Sequence, residues 1–206
     1  MKPIIALTKG RLENQFIEFL ESLDYEVDPI LKKGRKLRIE TEIFEFIFAK
    51  GPDVATYVEH GIADLGIVGG DILAEFHPDV FNLFPLPFGH CRMAVATEKG
   101  KVWSNKKKKI ASKYTGITKE YFRNKDESVD IIKLEGSVEL APILGLADGI
   151  VDIVETGTTL KENGLVVQEE FFSFSARCIA NRSSLKIKRD VLSPIIASFQ
   201  KQEDYV

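Results

Sequence analysis

The sequence predicts an α/β protein of two lobes with a central cleft, and three observations lead to this fold class. Short runs of branched apolar residues alternate with amphipathic helical patterns, which is typical of parallel or mixed sheets covered by helices. The 206 residues, 44% of them hydrophobic, suffice for one large domain or two small ones. Proline and glycine interrupt the pattern at residues 85–89, and a second interruption lies near residues 171–175, so the chain should cross between two lobes twice.

These two crossings define the expected domains. The first lobe should be discontinuous, with residues 1–88 and 176–206, and the second should hold residues 89–175. An insert of that length is close to the smallest that forms its own core. In folds of this kind ligands bind between the lobes, where strand ends and helix N-termini meet.

The elements of the first lobe follow from apolar spacing. In order, we expect a strand at 4–7, a helix at 12–23, a hairpin at 37–49, a helix at 54–59, a strand at 65–68 and, at the end of the chain, a strand at 174–181 and a helix at 191–199. The hairpin is predicted because apolar and polar residues alternate and the break at 40–42 supplies the turn. Asp71 should cap a further helix after the strand at 65–68.

The second lobe shows the same alternation. Its expected elements are strands at 92–97, 110–112, 129–134 and 150–154, with helices at 117–123 and 138–144 and a further helix beginning near Thr158. Each strand is a short run of branched residues, and each helix has apolar residues three and four apart.

Composition and charge exclude several classes of protein. The net charge of -3 gives no general attraction to nucleic acid, and the lysines at 106–109 are better explained as a solvated surface loop than as a nucleic-acid patch. No apolar stretch could span a bilayer and the N-terminal residues do not form a secretory signal, so we expect a cytoplasmic protein without a membrane partner. Cys91, Cys178 and the three histidines form neither a disulfide framework nor a zinc-ligand spacing, so no metal held by the protein is predicted.

Residues 150–160 carry the most informative motif. A buried strand runs directly into a turn with three threonines, Thr156, Thr158 and Thr159, around Gly157. Glycine lets the backbone turn its N–H groups toward an anion, the threonines add hydroxyl donors, and a helix from Thr158 would add its dipole, so the motif favours a phosphate. Two carboxylates, Asp152 and Glu155, would repel a phosphate, unless they bind neutral ribose hydroxyls or a magnesium ion screens the charge.

A structural explanation of this motif stays open. Glu155 and Thr156 could simply cap the following helix, with Gly157 as the turn residue, because polar helix starts are common for structural reasons alone. A phosphorylated sugar that carries a pyrophosphate satisfies both conditions for the carboxylates, and this ligand class is the functional hypothesis.

Three other strand ends carry clusters of polar residues, and three of the four clusters, counting residues 152–159, suit an anion or a nucleotide. Lys9 and Arg11 stand at the start of the first helix, where cations oppose the helix dipole, which slightly favours a phosphate role over a solvated helix start. The remaining candidates are Gly69 and Asp71 after one strand, and Glu135, Gly136 and Ser137 at a turn that leads into a helix. For Glu135 and Ser137 a simple helix cap is the alternative.

Motifs along nearly the whole chain resemble the ATP phosphoribosyltransferase family. They lie at residues 8–12, 35–37, 57–61, 63–69 and 135–139, and the most specific block is 145–165. The resemblance implies a fold like that of type II periplasmic binding proteins. It also implies the condensation of ATP with 5-phosphoribosyl 1-pyrophosphate, in which N1 of adenine attacks C1 of the ribose and magnesium accompanies the leaving pyrophosphate.

The resemblance assigns roles to the candidate residues. Asp152 and Glu155 would hold the ribose, and the residues from Thr156 to Thr159 would hold the 5-phosphate. The cations Lys9, Arg11 and Lys50 would act in catalysis by facing the pyrophosphate or the ATP phosphates, and the ATP side would include Arg35, Gly69, Asp71, Glu135, Gly136 and Ser137.

Two positions depart from the family pattern. Gly70 stands where many relatives have a lysine, so it could contribute only its backbone. Lys50 stands where many have an arginine, and it keeps the charge while losing the bidentate fork of a guanidinium.

The sequence ends after the closing helix, so the resemblance is to the short form of the family. That form is assembled with a regulatory subunit related to histidyl-tRNA synthetase, in at least a homodimer and in an expected hetero-octamer. A solute-binding protein without catalysis and a nucleotide sensor are the rival functions, because fold alone does not decide between them.

Overall fold

A computed structural model describes residues 2–101 and 107–200, which form eleven strands and nine helices. In chain order these are β1 (Ile4–Thr8), α1 (Arg11–Ser22), α2 (Asp28–Leu31), β2 (Arg38–Glu40), β3 (Glu45–Ala49), α3 (Gly51–Glu59), β4 (Leu65–Gly69), α4 (Gly70–Phe76), β5 (Phe81–Pro85), β6 (Cys91–Glu98), β7 (Lys108–Ser112), α5 (Thr115–Asn124), β8 (Val129–Lys133), α6 (Leu140–Ile143), β9 (Gly149–Val154), α7 (Thr158–Glu162), β10 (Leu165–Phe174), β11 (Ala176–Ala180), α8 (Arg182–Ile187) and α9 (Arg189–Gln200). The chain forms two compact units, of which the first runs to His90 and resumes at Ser175, and the second is Cys91–Phe174.

The first unit is built on a six-stranded mixed sheet in the order β2-β3-β1-β4-β11-β5. Strands β3, β1 and β4 are parallel, whereas β2 and β11 run antiparallel to their neighbours β3 and β4. The carboxyl ends of the three parallel strands therefore meet at one edge of the sheet. The antiparallel pair β2–β3 is the hairpin that the alternating pattern predicted.

The core of the first unit lies on both faces of this sheet. On β1, Ile5 and Leu7 face a cluster rich in phenylalanine, and Ala6 faces the opposite cluster under α3. Burying one such aromatic side chain stabilises the fold by about 2 kcal/mol. Helix α3 packs very closely on β4, because a Cβ atom on Gly66 would lie 2.7 Å from a methyl carbon of Val58.

The second unit has a five-stranded sheet in the order β10-β6-β9-β7-β8. Strands β9, β7 and β8 are parallel, and β6 pairs antiparallel with both β9 and β10. The carboxyl ends of β9, β7 and β8 thus share one edge with the beginning of β6. Ile150, Val154 and Leu160 belong to the buried cluster of this unit, which is otherwise rich in alanine.

Most elements agree with the sequence predictions, and the exceptions have physical reasons. The helix expected at 138–144 is the four-residue α6, because the chain passes Ser137 with a left-handed φ of 48° before the helix begins. Asp71 lies inside the first turn of α4, and Gly69 is the N-cap residue, so the expected cap at Asp71 is wrong. Neither the short helices α2 and α8 nor the strands β5 and β10 were predicted.

The lysine segment differs in part from its prediction. Lys106 lies outside the described residues, whereas Lys108 and Lys109 begin β7 and are not part of a loop. Among residues 2–101 and 107–200, no helix is long and apolar enough to cross a bilayer.

Candidate active site

The loop between β9 and α7 forms a pocket of about 240 Å³ in the second unit. Its wall contains every residue predicted to bind the phosphosugar. They are Asp152, Glu155, Thr156, Gly157, Thr158 and Thr159, and the other lining residues are Glu139, Ile153, Val154 and Leu160. The sequence motif therefore folds into one concave surface of hydroxyl groups and carboxylates.

The backbone of this loop depends on Gly157. It is the N-cap residue of α7 and has a φ of 77°, a left-handed conformation that residues with a side chain rarely adopt. Helix α7 begins at Thr158, as predicted, and its first N–H groups have no acceptor within the helix. The helix has only five residues, so its dipole adds less to anion binding than the dipole of a longer helix would.

Hydrogen bonds inside the loop arrange the threonine hydroxyls. The hydroxyl oxygens of Thr156 and Thr158 lie 3.0 Å apart, and the Thr158 N–H donates to the Thr156 hydroxyl over 3.4 Å. At 3.4 Å the hydrogen bond from the Thr158 N–H is long, so it gives only weak support to the alternative that Thr156 simply caps α7. Thr158 and Thr159 are exposed, so both hydroxyls can reach a ligand.

The carboxylates of the pocket are placed differently from the hydroxyls. Asp152 is half-buried, and one of its carboxylate oxygens accepts from the Ile153 N–H over 2.8 Å. Glu155 is exposed at the end of the strand. In the described part of the chain, no group of three or more histidines, cysteines, aspartates or glutamates could hold a metal ion.

The segment after β8 matches its prediction in part. Glu135, Gly136 and Ser137 are exposed and follow a strand that ends at the same edge as β9, but the predicted helix start is wrong, because α6 begins at Leu140. Glu135 pairs with Lys133 over 3.0 Å at the surface. Of this acidic segment, Glu139 reaches the pocket.

Sequence reasoning missed Arg92, the second residue of β6. Its guanidinium Nη1 donates to the carbonyl oxygen of Glu155 over 3.1 Å, directly beside the pocket. Arg92 stands opposite Val154 in the β6–β9 pairing. No local pattern in the sequence indicates this contact, since it depends on which strand lies next to β9.

The first unit brings together a second set of predicted residues at the edge where its parallel strands end. Lys9 follows β1, Lys50 follows β3, and Gly69 closes β4. The Lys9 N–H donates to the Ala49 carbonyl over 2.9 Å, and the Thr8 hydroxyl donates to the Ile67 carbonyl over 2.9 Å, which fixes these strand ends against one another.

The cations at this edge stand at or near the starts of helices. Lys9, Arg11 and Lys50 are exposed, with Arg11 as the first residue of α1 and Lys50 as the N-cap of α3. Arg35 is also exposed and precedes β2. Because β2 runs antiparallel to β3, the beginning of β2 lies beside the end of β3. The Phe48 N–H donates to the Leu37 carbonyl over 2.9 Å at this place.

Gly69 and Asp71 have a clear packing relationship. A Cβ atom on Gly69 would lie 2.1 Å from a carboxylate oxygen of Asp71, so that carboxylate occupies the space of a side chain. Asp71 is 8% exposed. The N–H of Gly70, the position that departs from the family pattern, donates to the Ser175 carbonyl over 2.9 Å.

Comparisons with known proteins identify the family. The family model described as "HisG: ATP phosphoribosyltransferase" matches residues 50–201. A protein of Bacillus cereus (strain 03BB102) named ATP phosphoribosyltransferase is 52% identical over 203 residues, which cover 96% of this chain and 95% of the relative. The chain belongs to the ATP phosphoribosyltransferase family. A member from Clostridium novyi (strain NT) is 51% identical and is covered over 96% of its length. The resemblance found in the sequence is thus confirmed.

Solved structures confirm both the ATP phosphoribosyltransferase family and the fold class. The "ATP phosphoribosyl transferase (HisG:HisZ) complex from Thermotoga maritima" matches with a TM-score of 0.83 and 35% identity over 97% of both chains. The aliphatic sulphonate binding protein SsuA from Escherichia coli matches with a TM-score of 0.65 and 14% identity, over 97% of this chain and 72% of that one. At this identity the second match shows the fold alone, and it is that of a periplasmic binding protein.

Proposed function

We propose that this chain is the catalytic subunit of an ATP phosphoribosyltransferase, a pentosyltransferase of class EC 2.4.2.17. N1 of the adenine ring of ATP would attack C1 of 5-phosphoribosyl 1-pyrophosphate with inversion. The products are phosphoribosyl-ATP and pyrophosphate, and the reaction is the first step of histidine biosynthesis. The proposal rests on the named relatives, of which several are more than half identical to this chain.

One observation supports the phosphosugar site most strongly, namely that a single loop lines one pocket with both hydroxyl donors and carboxylates. The hydroxyls of Thr156, Thr158 and Thr159, with the N–H groups around Gly157, would bind the 5-phosphate, since a phosphate accepts hydrogen bonds from every side. Carboxylates act as acceptors, so they would bind the two ribose hydroxyls. We assign that role to Asp152 and Glu155.

The cations at the edge of the first unit would act on the other reactants. The bond from C1 to the pyrophosphate breaks as negative charge develops on the leaving group, and fixed cations stabilise that charge most in the transition state. We assign this catalytic role to Lys9, Arg11 and Lys50. Lys50 offers a point charge where a guanidinium would offer a planar fork, so its contribution should depend less on orientation.

The ATP side is the finer part of the proposal. Arg35 would bind ATP phosphates from the exposed turn before β2, and Gly69 and Asp71 would contribute from the end of β4. From the second unit, Glu135, Gly136 and Ser137 would contribute from the segment after β8. All of these segments follow or precede strands at the sheet edges described above.

Magnesium would arrive bound to the substrate rather than to the protein. The carboxylates of Glu139, Asp152 and Glu155 line one pocket, and oxygen ligands of this type suit Mg²⁺, yet they do not form a ligand set for a metal by themselves. Bound to the pyrophosphate, the ion would neutralise part of its charge. The protein's own groups would then orient the ribose and exclude competing water.

A regulatory partner is proposed from the Thermotoga maritima structure, which is a HisG:HisZ complex. We propose that this chain assembles with a HisZ-type subunit related to histidyl-tRNA synthetase, as at least a homodimer and in a hetero-octamer, in the cytoplasm. Feedback inhibition by histidine would then require the partner. Calorimetric detection of tight histidine binding to this chain alone would contradict that assignment.

Formation of phosphoribosyl-ATP, followed by ultraviolet absorbance, tests the proposed function. The purified chain would be mixed with ATP, phosphoribosyl pyrophosphate and magnesium, with and without a HisZ-type subunit. Product from the chain alone would locate the catalytic site in these residues, and product that requires the subunit would assign activation to the partner. Ligand binding without product under both conditions would favour a nucleotide sensor or a solute-binding protein.

A further inference from the structure

Arg92 makes two contacts that connect the pocket loop to the rest of the second unit. Its Nη1 donates to the Glu155 carbonyl over 3.1 Å, and its Nε lies 2.6 Å from a carboxylate oxygen of Glu170 on β10. The Nε–H group of Arg92 is buried and is not aligned for a hydrogen bond to the Glu170 carboxylate, so the second contact is an ion pair. The guanidinium therefore links β10, β6 and the end of β9.

The Glu155 carbonyl is an effective place from which to fix this loop. It is the first carbonyl after β9, so its direction determines how the chain enters the turn at Thr156 and Gly157. Gly157 has a left-handed φ in this structure, but glycine can adopt many other backbone conformations, so the turn is not fixed by this residue alone. A donor on the Glu155 carbonyl reduces that freedom before a ligand binds, which lowers the cost of ordering the loop.

Glu170 in turn restricts the guanidinium. Arg92 and Glu170 are 38% and 46% exposed in their side chains, so the pair contributes little to stability by itself. The ion pair should instead orient the Arg92 side chain, because a guanidinium held by Glu170 keeps its N–H donors directed at the pocket loop.

We infer that Arg92 is a positioning residue for the pocket loop and that Glu170 orients it. This inference rests on the proposed role of the loop in binding the phosphosugar. It predicts that loss of Arg92 changes the affinity for phosphoribosyl pyrophosphate without changing the affinity for ATP. A purely structural ion pair would change neither constant selectively.

Steady-state kinetics of Arg92→Gln, with the regulatory subunit present if activity requires it, provides the first test. The Michaelis constant for phosphoribosyl pyrophosphate should rise about five-fold, as expected for a partly exposed charged hydrogen bond, with the constant for ATP unchanged. Arg92→Lys keeps one donor and should recover part of the loss. Glu170→Gln should give a smaller rise in the same constant.

The neighbouring Glu169 supplies a matched control. It pairs with Lys125 over 2.5 Å and is also 46% exposed, but this contact is with the residue that caps the end of α5 and not with Arg92. Glu169→Gln should leave both Michaelis constants within two-fold of the wild type. A wild-type constant for phosphoribosyl pyrophosphate in the folded Arg92→Gln and Glu170→Gln variants would overturn the inference.

Hydrogen exchange distinguishes failure of this inference from failure of the proposed function. In the chain without substrates, Arg92→Gln should speed the exchange of the amides of residues 155–159, whereas Glu169→Gln should not. If the wild type forms no phosphoribosyl-ATP but exchange responds in this way, the positioning role holds and the proposed function fails. Unchanged exchange in the Arg92→Gln variant would refute the positioning role whatever the activity.

Discussion

The ammonium of Lys33 lies 3.0 Å from a carboxylate oxygen of Glu13, and both side chains are largely withdrawn from solvent, with exposures of 18% and 11%. The same ammonium lies 4.8 Å from the ring centre of Phe48. The Lys36 N–H donates to the Lys33 carbonyl over 3.1 Å, which closes a turn that contains Arg35. Glu13 in the first turn of α1 thus fixes the base of the turn that presents Arg35.

This relationship predicts a selective effect of Glu13→Gln. The neutral amide weakens the pair, the turn becomes less ordered, and the Michaelis constant for ATP should rise about five-fold if Arg35 binds ATP. Asp28→Asn is the control, because it breaks an exposed ion pair between the first residue of α2 and Lys32, the residue that follows this helix. Equal ATP constants for the Glu13→Gln variant and the wild type would remove this turn from the ATP site.

Thr159→Val tests the phosphate-binding hydroxyls. The loss of one hydrogen bond to a charged phosphate should raise the Michaelis constant for phosphoribosyl pyrophosphate about ten-fold. The turnover number should stay near the wild-type value, since the bond is the same in the ground state and the transition state. Thr56→Val makes the same change at an exposed position of α3, where the hydroxyl donates to its own helix. If both variants keep wild-type constants, Thr159 lies outside the site.

Gly157→Ala should combine a loss of stability with a loss of affinity. The left-handed backbone at φ 77° makes alanine unfavourable by about 1 kcal/mol, although a Cβ atom would meet nothing closer than a methyl carbon at 3.8 Å. Gly164, with φ 72° and open space around it, is a control with the same backbone cost outside the pocket. Denaturation should show similar losses for both alanine variants. A raised Michaelis constant for phosphoribosyl pyrophosphate is expected for Gly157→Ala alone.

Asp64 is the centre of a buried polar network that holds α8 and the residue that caps its end against β1. Its carboxylate is nearly inaccessible and accepts from the Ile4 N–H at 2.9 Å, the Ser184 hydroxyl at 2.6 Å and the Lys188 ammonium at 2.8 Å. Asp64→Asn should lower the free energy of unfolding by about 2 kcal/mol, because it leaves a half-buried ammonium without its counter-charge.

The exposed pair between Arg182 and Asp79 provides the comparison for this stability effect. It spans 2.8 Å with side-chain exposures of 56% and 69%, so Asp79→Asn should cost about 0.5 kcal/mol or less. Urea denaturation of the two variants measures both effects. Equal losses would show that burial around Asp64 does not strengthen its contacts.

The two cysteines should differ in reactivity. Complete burial raises the pKa of the Cys178 thiol to about 12, so the folded protein keeps it protonated and inert at pH 8. Cys91 is partly exposed and should react with a chromogenic disulfide reagent. As the pH rises above about 9, the thiol ionises first in the unfolded chain, so the free energy of unfolding should fall. Rapid modification of Cys178 in the native protein would contradict the burial argument.

Local pattern was a good guide wherever one face of an element had to be buried. The spacing of Phe16, Phe19 and Leu20 indicated α1, and the branched run of β9 followed by threonines and Gly157 indicated a strand, a turn and a helix start. The pattern did not indicate β10, an edge strand whose central polar residues face solvent. It also placed the start of α6 too early, because Ser137 adopts a left-handed conformation and the helix begins only after it.

The sequence by itself determined the family, the α/β class and the loop that lines the pocket, because each of these depends on residues close together in the chain. Only the tertiary structure decided that Arg92 contacts the Glu155 carbonyl and that Glu13 pairs with Lys33. It also decided that Glu139 reaches the pocket while Ser137 does not line it. The physical reason is that strand order and helix packing set these contacts, and both follow from the burial of whole faces rather than from any short motif.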